Sequence, residues 1–191
     1  MKKSRMLLLV VIVAAGLVLA GCGGPSPEVV VSEFTAALKA GDWEKAATYM
    51  ENQDKSAFQK DIKDEKGEKF ARQILSKAAF ELGKAEVSGN QAKVGVKVTA
   101  VDMVRVAAKT MSELMPIAIA AAFSEDGDQK DMEAMAEQYF MNSISDPQAP
   151  MTVTDTAINL VKTGDGWKVS ASNEEFFNAM TGNMEKAFAQ Q

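Results

Sequence analysis

Two carboxylates, one amide and a group of methionines are the side chains in this sequence whose types and spacing suggest chemistry. Asp102 follows Val94, Val96, Val98 and Ala100 at the same parity, which on a strand puts all five on one face. Asp155 and Asn159, from a second β-rich stretch, could face the same interior. A carboxylate buried there has its pKa raised by desolvation and can act as a general base. The plain alternative is that Asp102 marks where a strand stops and Asp155 sits at a bulge. Met111, Met115, Met132 and Met135, with Met141 and Met151 nearby, offer thioether sulfur. Such sulfur suits Cu(I) or an adaptable apolar lining. Their helical spacing favours the lining, as a groove for a small apolar ligand or an envelope protein. Glu125, Asp126, Asp128, Asp131 and Glu133 surround Gly127. Their spacing is not that of an EF-hand, and they read as a solvated loop between helices.

What is missing narrows the chemistry further. The 191 residues contain no histidine and one cysteine. A Ser-His-Asp triad, a Cys-His pair, an imidazole metal ligand and a thiolate zinc cluster are therefore excluded. The net charge of -5 argues against nucleic acid, which needs a basic face. The expectation is a non-catalytic chain with no cofactor and no metal.

The single cysteine, Cys22, closes a distinctive N-terminal segment. Lys2, Lys3 and Arg5 precede an uncharged apolar run from Met6 to Leu19, which is 14 residues. A spanning helix needs about 20 apolar residues, so this run suits a signal-peptide core. It ends in Leu19-Ala20-Gly21-Cys22, which resembles the lipobox of bacterial lipoproteins. The resemblance implies cleavage before Cys22 and attachment to the membrane through a diacylglyceryl-cysteine. Two acyl chains give stable anchoring where one is marginal. It also implies an extracytoplasmic location, on the only membrane of a monoderm cell or in a diderm envelope. Loss of Lys2, Lys3 and Arg5 leaves 18 basic against 26 acidic side chains, a net of −8. Such a domain is mildly repelled by anionic lipid, so the lipid anchor does the binding.

The elements that position these residues follow from periodicity. The expected organisation is a signal peptide over 1–21, a lipidated cysteine and short tether over 22–27, and one α+β domain over 28–191. Ser26-Pro27-Glu28 begins a helix with the stripe Val30, Phe34, Ala37 and Leu38, closed by Gly41. Asp42 caps a second helix carrying Trp43, Ala46, Ala47 and Met50. A third stretch holds Phe58 and Ile62, breaks near Gly67 and resumes with Phe70, Ile74, Leu75 and Ala78.

The period then falls to two. Phe80 and Leu82 share one parity and Ala85 and Val87 the other, so a bulge is expected at Gly83-Lys84. Ser88-Gly89-Asn90-Gln91 turns the chain into the strand Val94 to Ala100. Met151 to Lys162, the turn Gly164-Asp165 and the alternation Trp167, Val169, Ala171 form a second hairpin. Asn173 caps a last helix with the stripe Phe177, Met180, Met184 and Phe188. A helical insertion over 104–150 separates the hairpins, kinked at Pro116 and ended by Asp146-Pro147. Within it Ile117 to Phe123 is apolar almost all round, too short to span a bilayer, and expected to be buried in the domain.

This order gives N-terminal helices packed on a curved antiparallel sheet of two hairpins, a helical insertion and a C-terminal helix. Pro27-Glu28-Val29-Val30, the run Phe34 to Ala46, Asn159-Leu160-Val161-Lys162 and Gly166-Trp167-Lys168-Val169 carry a resemblance. They resemble the nuclear transport factor 2-like superfamily, and more narrowly small bacterial lipoproteins with that cone-shaped, cystatin-like α+β fold. The resemblance implies that enzymatic members, of isomerase or hydrolase type, would use an Asp or a Tyr-Asp pair inside the cone, often with a histidine. The long insertion departs from the compact pattern and leaves the cone's pocket either open or filled. A filled cone with an exposed methionine-rich face would point to a partner. An open apolar pocket holding Asp102 or Asp155 would point to a ligand or a reaction.

Overall fold

In a computed structural model the chain is described over residues 24–51, 65–123 and 129–185. The signal segment with Leu19, Ala20 and Gly21, the anchor candidate Cys22, and the expected helical residues Phe58 and Ile62 lie outside the described residues. So do Glu125, Asp126, Asp128 and Phe188.

Helix α1 (Pro27–Ala40) begins with a proline in its first turn, where the missing N–H costs nothing, and stops at Gly41. Gly41 has a φ of 65°, the left-handed position that a glycine takes without a Cβ penalty. The predicted stripe Val30, Phe34, Ala37 and Leu38 is buried. The Asp42 carboxylate accepts a 3.0 Å bond from the Lys45 N–H and caps α2 (Trp43–Thr48). Helix α3 (Glu65–Ser76) runs through Gly67, where the sequence suggests a break. A glycine inside a helix costs about 1 kcal/mol, less than the burial of Ile74 and Leu75 on the same helix contributes.

Strands β1 (Ala79–Ser88) and β2 (Gln91–Val101) form the first hairpin. Its register slips between Leu82 and Ala85, at the bulge the parity switch predicts. The Ala85 N–H at the bulge donates to the Glu28 carboxylate on α1 at 3.0 Å, which holds the Glu28 pKa below the ordinary carboxylate value. Strands β3 (Met151–Thr163) and β4 (Gly166–Val169) form the second hairpin. The four strands make one antiparallel sheet in the order β1-β2-β3-β4. Ala92, Val94, Val96, Val98 and Ala100 of β2 face the helices, and Lys93, Gly95 and Lys97 face outward.

Between the hairpins come α4 (Met103–Ala122) and α5 (Gln129–Ser145), the helical insertion. They lean on α3 through a stacked Phe70–Phe140 pair with centroids 5.9 Å apart and a Lys66–Glu137 ion pair at 3.0 Å. At their root Val101, Met103, Val106, Ile144 and Ala149 close a second small core around Ile74.

The last helix, α6 (Glu174–Met180), differs from its expected form. It buries Phe176 rather than Phe177, and it ends at Met180 instead of continuing through Met184. Gly182 (φ 63°) and Asn183 (φ 59°) turn the chain there. The Gly182 carbonyl accepts the Met103 N–H at 3.1 Å. A Cβ on Gly182 would lie 1.7 Å from the Val101 carbonyl oxygen, so no other residue fits this approach.

Candidate functional site

The space between helices and sheet is filled by side chains. Phe176 is fully buried, with its ring 6.2 Å from Phe34 and 5.9 Å from Phe80. Val30, Leu38, Val94, Val98 and Ile158 pack with them in one core.

Asp102 does not enter that interior. Strand β2 ends at Val101, and Asp102 is the N-cap of α4: its carboxylate accepts the Arg105 N–H at 3.0 Å and pairs with the Arg105 guanidinium at 3.3 Å. The parity argument fails because a residue one step past a strand has no strand face to share. Asp155 is opposite Lys97 on the outer face of the sheet, with 81% of its side chain exposed and the Lys97 ammonium 3.7 Å away. The burial that a general-base role needs is absent at Asp155. The two carboxylates are not brought together either. Asp155 pairs five positions back along β2 from Asp102.

Asn159 does join Asp155, in an open depression of about 800 Å³ on the outer face. Its floor is low because Gly95 pairs with Ala157, while Lys93, Asp155 and Asn159 rise around it. The first turn of α6, with Glu174 and Glu175, forms another wall. Asn173 fixes this wall. Sequence spacing makes it a helix cap, but its side chain makes no cap bond. Instead its oxygen accepts the Asn159 backbone N–H at 2.8 Å, and its amide donates to the Asn159 carbonyl at 3.1 Å and the Ser170 carbonyl at 2.8 Å. Beyond the four residues of β4 the Ser170 N–H still donates to the Asn159 carbonyl at 2.9 Å, and the Asn173 oxygen takes the acceptor's place against β3. The depression is open and polar, and among the described residues no buried carboxylate lines it.

The methionines define a different surface. Met111, Met115 and Ile119 are 58%, 55% and 56% exposed, and Phe123 is 88% exposed. Beyond Thr110, α4 has no buried residue. Only Leu114, Ile117 and Ala121 are partly covered, and α5 is the helix that packs along α4. The expected burial of Ile117 to Phe123 therefore fails: a helix apolar on every side needs neighbours on every side, and among the described elements α5 is the one that packs along this helix. Met132 and Met135 are half-buried on α5, so the four candidate methionines are split between a water-facing stripe and a partly covered helix face. Among the described residues no group of His, Cys, Asp and Glu could hold a metal ion, and no helix is long and apolar enough to cross a membrane.

The two ends of the sheet lead to different parts of the chain. Gly24 stands beside the β3–β4 turn, where a Cβ on it would lie 3.9 Å from the Gly166 Cα. Val101 pairs with Met151 at the opposite end of β3, and α4 starts from there. Thirteen strand residues separate these ends, which is about 40 Å.

No family model and no curated protein matches the chain. Among solved structures it is similar to YcdA of Bacillus subtilis subsp. subtilis str. 168, described as a candidate lipoprotein: 12% identity and a TM-score of 0.45, over 84% of this chain and 48% of that one. It is also similar to a candidate dehydratase of the NTF2-like family from Streptomyces avermitilis: 15% identity and a TM-score of 0.33, over 74% of this chain and 88% of that one. The chain thus spans about half the length of the Bacillus protein. No residue correspondence follows from either likeness.

Proposed function

We propose that this chain is a lipid-anchored, extracytoplasmic, non-catalytic module of a bacterial cell envelope that recognises a protein partner through its α4–α5 arm. The observation that carries this reading is the exposed apolar stripe Met111, Met115, Ile119 and Phe123. Monomeric proteins rarely leave a contiguous apolar patch of this kind without a use for it. A small apolar ligand would need room between helices and sheet, and Phe34, Phe80 and Phe176 occupy that room. The lipobox-like Leu19-Ala20-Gly21-Cys22 supports the anchor. The position of Gly24 beside the β3–β4 turn supports an arrangement in which the lipid end and the arm root point apart. The nuclear transport factor 2-like family, with a filled cone and an added arm, is the ancestry this reading favours.

Two measurements test it. Cys22→Ser should abolish acyl labelling and release the chain from membranes; unchanged retention and labelling would remove the anchor. A photoreactive residue replacing Phe123 in the full chain, irradiated in cells, should give discrete heavier adducts, while the same probe at Glu81 on the outer sheet face should give none. Absence of adducts from the arm would overturn the partner reading.

A further inference from the structure

Resting on that reading, we infer that the partner seated on the arm is a second copy of this chain, its α4 antiparallel to the first about a two-fold axis at Met115.

The stripe itself argues for this. At 100° per residue, Val104, Ala108, Met111, Met115, Ile119 and Phe123 fall on one side of α4, with Ala118 and Ala122 between them. All eight are exposed. A two-fold axis requires that each position meet the position reflected through the centre. Centred on Met115, Met111 meets Ile119 and Ala108 meets Ala122 of the second copy, and Phe123 falls opposite the small side chain of Ala107, next to the exposed Ala108. The contacts of Ala108, Met111, Met115, Ile119, Ala122 and Phe123 are then apolar on apolar, with a large group against a small one at Phe123. Few unrelated surfaces would match such a pattern as well as the pattern matches itself.

Charge points the same way. Helix α4 has no basic residue in its last turn, so its C-terminal carbonyl dipoles carry no compensating cation. Antiparallel pairing brings Arg105 of the copy to that end, on the same side of the axis as Phe123, where a guanidinium also suits an aromatic face. The Arg105 side chain is 72% exposed, and its guanidinium, paired with Asp102 at 3.3 Å, keeps further N–H groups for that end. A lipid surface fits less well, because the sequence after Phe123 carries Glu125, Asp126 and Asp128, which anionic lipid repels.

The area is also of the right order. The four large side chains leave roughly 500 Å² of apolar surface in water, against about 800 Å² that each partner of a standard interface buries. The exposed Ala108, Ala118 and Ala122 add to it, which makes this a small interface.

Cysteine substitution in the full chain tests the geometry. Met115→Cys lies on the axis and should give a disulfide-linked dimer under mild oxidation, read on a non-reducing gel. Phe123→Cys alone should give none, because the two copies of position 123 are about 24 Å apart along antiparallel helices. Combining Ala108→Cys with Phe123→Cys should restore the dimer. Ile119→Glu should lower the Met115→Cys dimer at least tenfold while leaving the thermal midpoint of a dilute sample in place. The unsubstituted chain, with Cys22 only, sets the background. A Met115→Cys chain that stays monomeric, or Phe123→Cys that crosslinks as readily, would overturn the inference. If that happens while the photoreactive residue at Phe123 still captures other proteins, partner recognition stands and self-pairing fails. If neither gives an adduct, both fail.

Discussion

Helix α1 puts Val31, Phe34 and Leu38 wholly out of water, whereas α4 leaves Met111, Met115 and Ile119 more than half in it. Both helices carry apolar residues at helical spacing. The difference lies in what surrounds each. Helix α1 touches α2, α3, β1, β2 and β4, so its large apolar positions find a neighbour, with Val29 at 49% exposure the exception. Helix α4 has such neighbours only up to Thr110, where the small core around Ile74 and Ile144 ends. An apolar stripe thus says that a face is to be covered, and only the assembled elements say whether the same chain covers it.

This contrast predicts very unequal responses to substitution. The largest should come from Phe176→Ala. The ring is fully buried between Phe34 and Phe80, and its removal leaves a cavity that the rigid sheet cannot collapse into. A loss of about 3–5 kcal/mol is expected in denaturant titration, or roughly 10 °C in thermal midpoint. A loss under about 1 kcal/mol would mean that helices and sheet do not form the packed core described.

Asn173→Ala should come next, at about 2–3 kcal/mol. The buried Asn173 amide accepts the Asn159 N–H and donates to the Ser170 carbonyl, and alanine leaves both without it, while the Asn159 carbonyl keeps the Ser170 N–H. Hydrogen exchange at the Asn159 amide should quicken in the variant. Unchanged protection there would show that water replaces the side chain at no cost.

These two residues also show where sequence reasoning stops. The strands, their turns, the Gly83-Lys84 bulge, the Gly41 stop and the Asp42 cap all arise from local spacing, and local spacing is what a sequence displays. Phe176 escapes it because the stripe Phe177, Met180 and Met184 assumes an unbroken helix, whereas Gly182 and Asn183 interrupt it, Met180 stays buried, and Phe176 rather than Phe177 takes the fully buried position. Asn173 reads as a cap for a similar reason: its bond to Asn159 exists only because β4 stops at Val169. Of the candidate site, the exposed depression brings Asp155 and Asn159 together, but their outward direction and the outward turn of the methionines depend on which face finds a partner.

Asp102→Ala should cost about 1 kcal/mol, the usual worth of a helix cap, and Asp102→Asn should recover most of it by accepting the same Arg105 N–H. A null result for alanine would show that the arm root is held by Met103, Val106 and Ile144 alone.

A smaller effect should appear with pH. The Glu28 carboxyl is held below its ordinary pKa by the Ala85 N–H, so the folded state favours the ionised form. Its contribution is complete above the unfolded carboxylate pKa and is lost as pH falls through the lower folded value. Glu28→Gln should flatten stability between about pH 5 and pH 3 relative to the unsubstituted chain, without changing it much at neutral pH by more than a surface hydrogen bond is worth. An identical acid limb in both would place the pH dependence elsewhere.

The smallest effect on folding should come from the face that is richest in apolar side chains. Ile119→Ser removes a side chain that is already more than half in water, so a dilute sample should keep its stability within about 0.5 kcal/mol. Concentration separates the arm from the body. A folded state stabilised by a second copy melts higher as protein concentration rises, because association draws on the folded form alone. The unsubstituted chain should therefore show a thermal midpoint that climbs with concentration, and Ile119→Ser should not. A midpoint independent of concentration in both would leave the stripe without a second copy on it. A large loss in the dilute variant would mean that α4 is packed against its own domain after all.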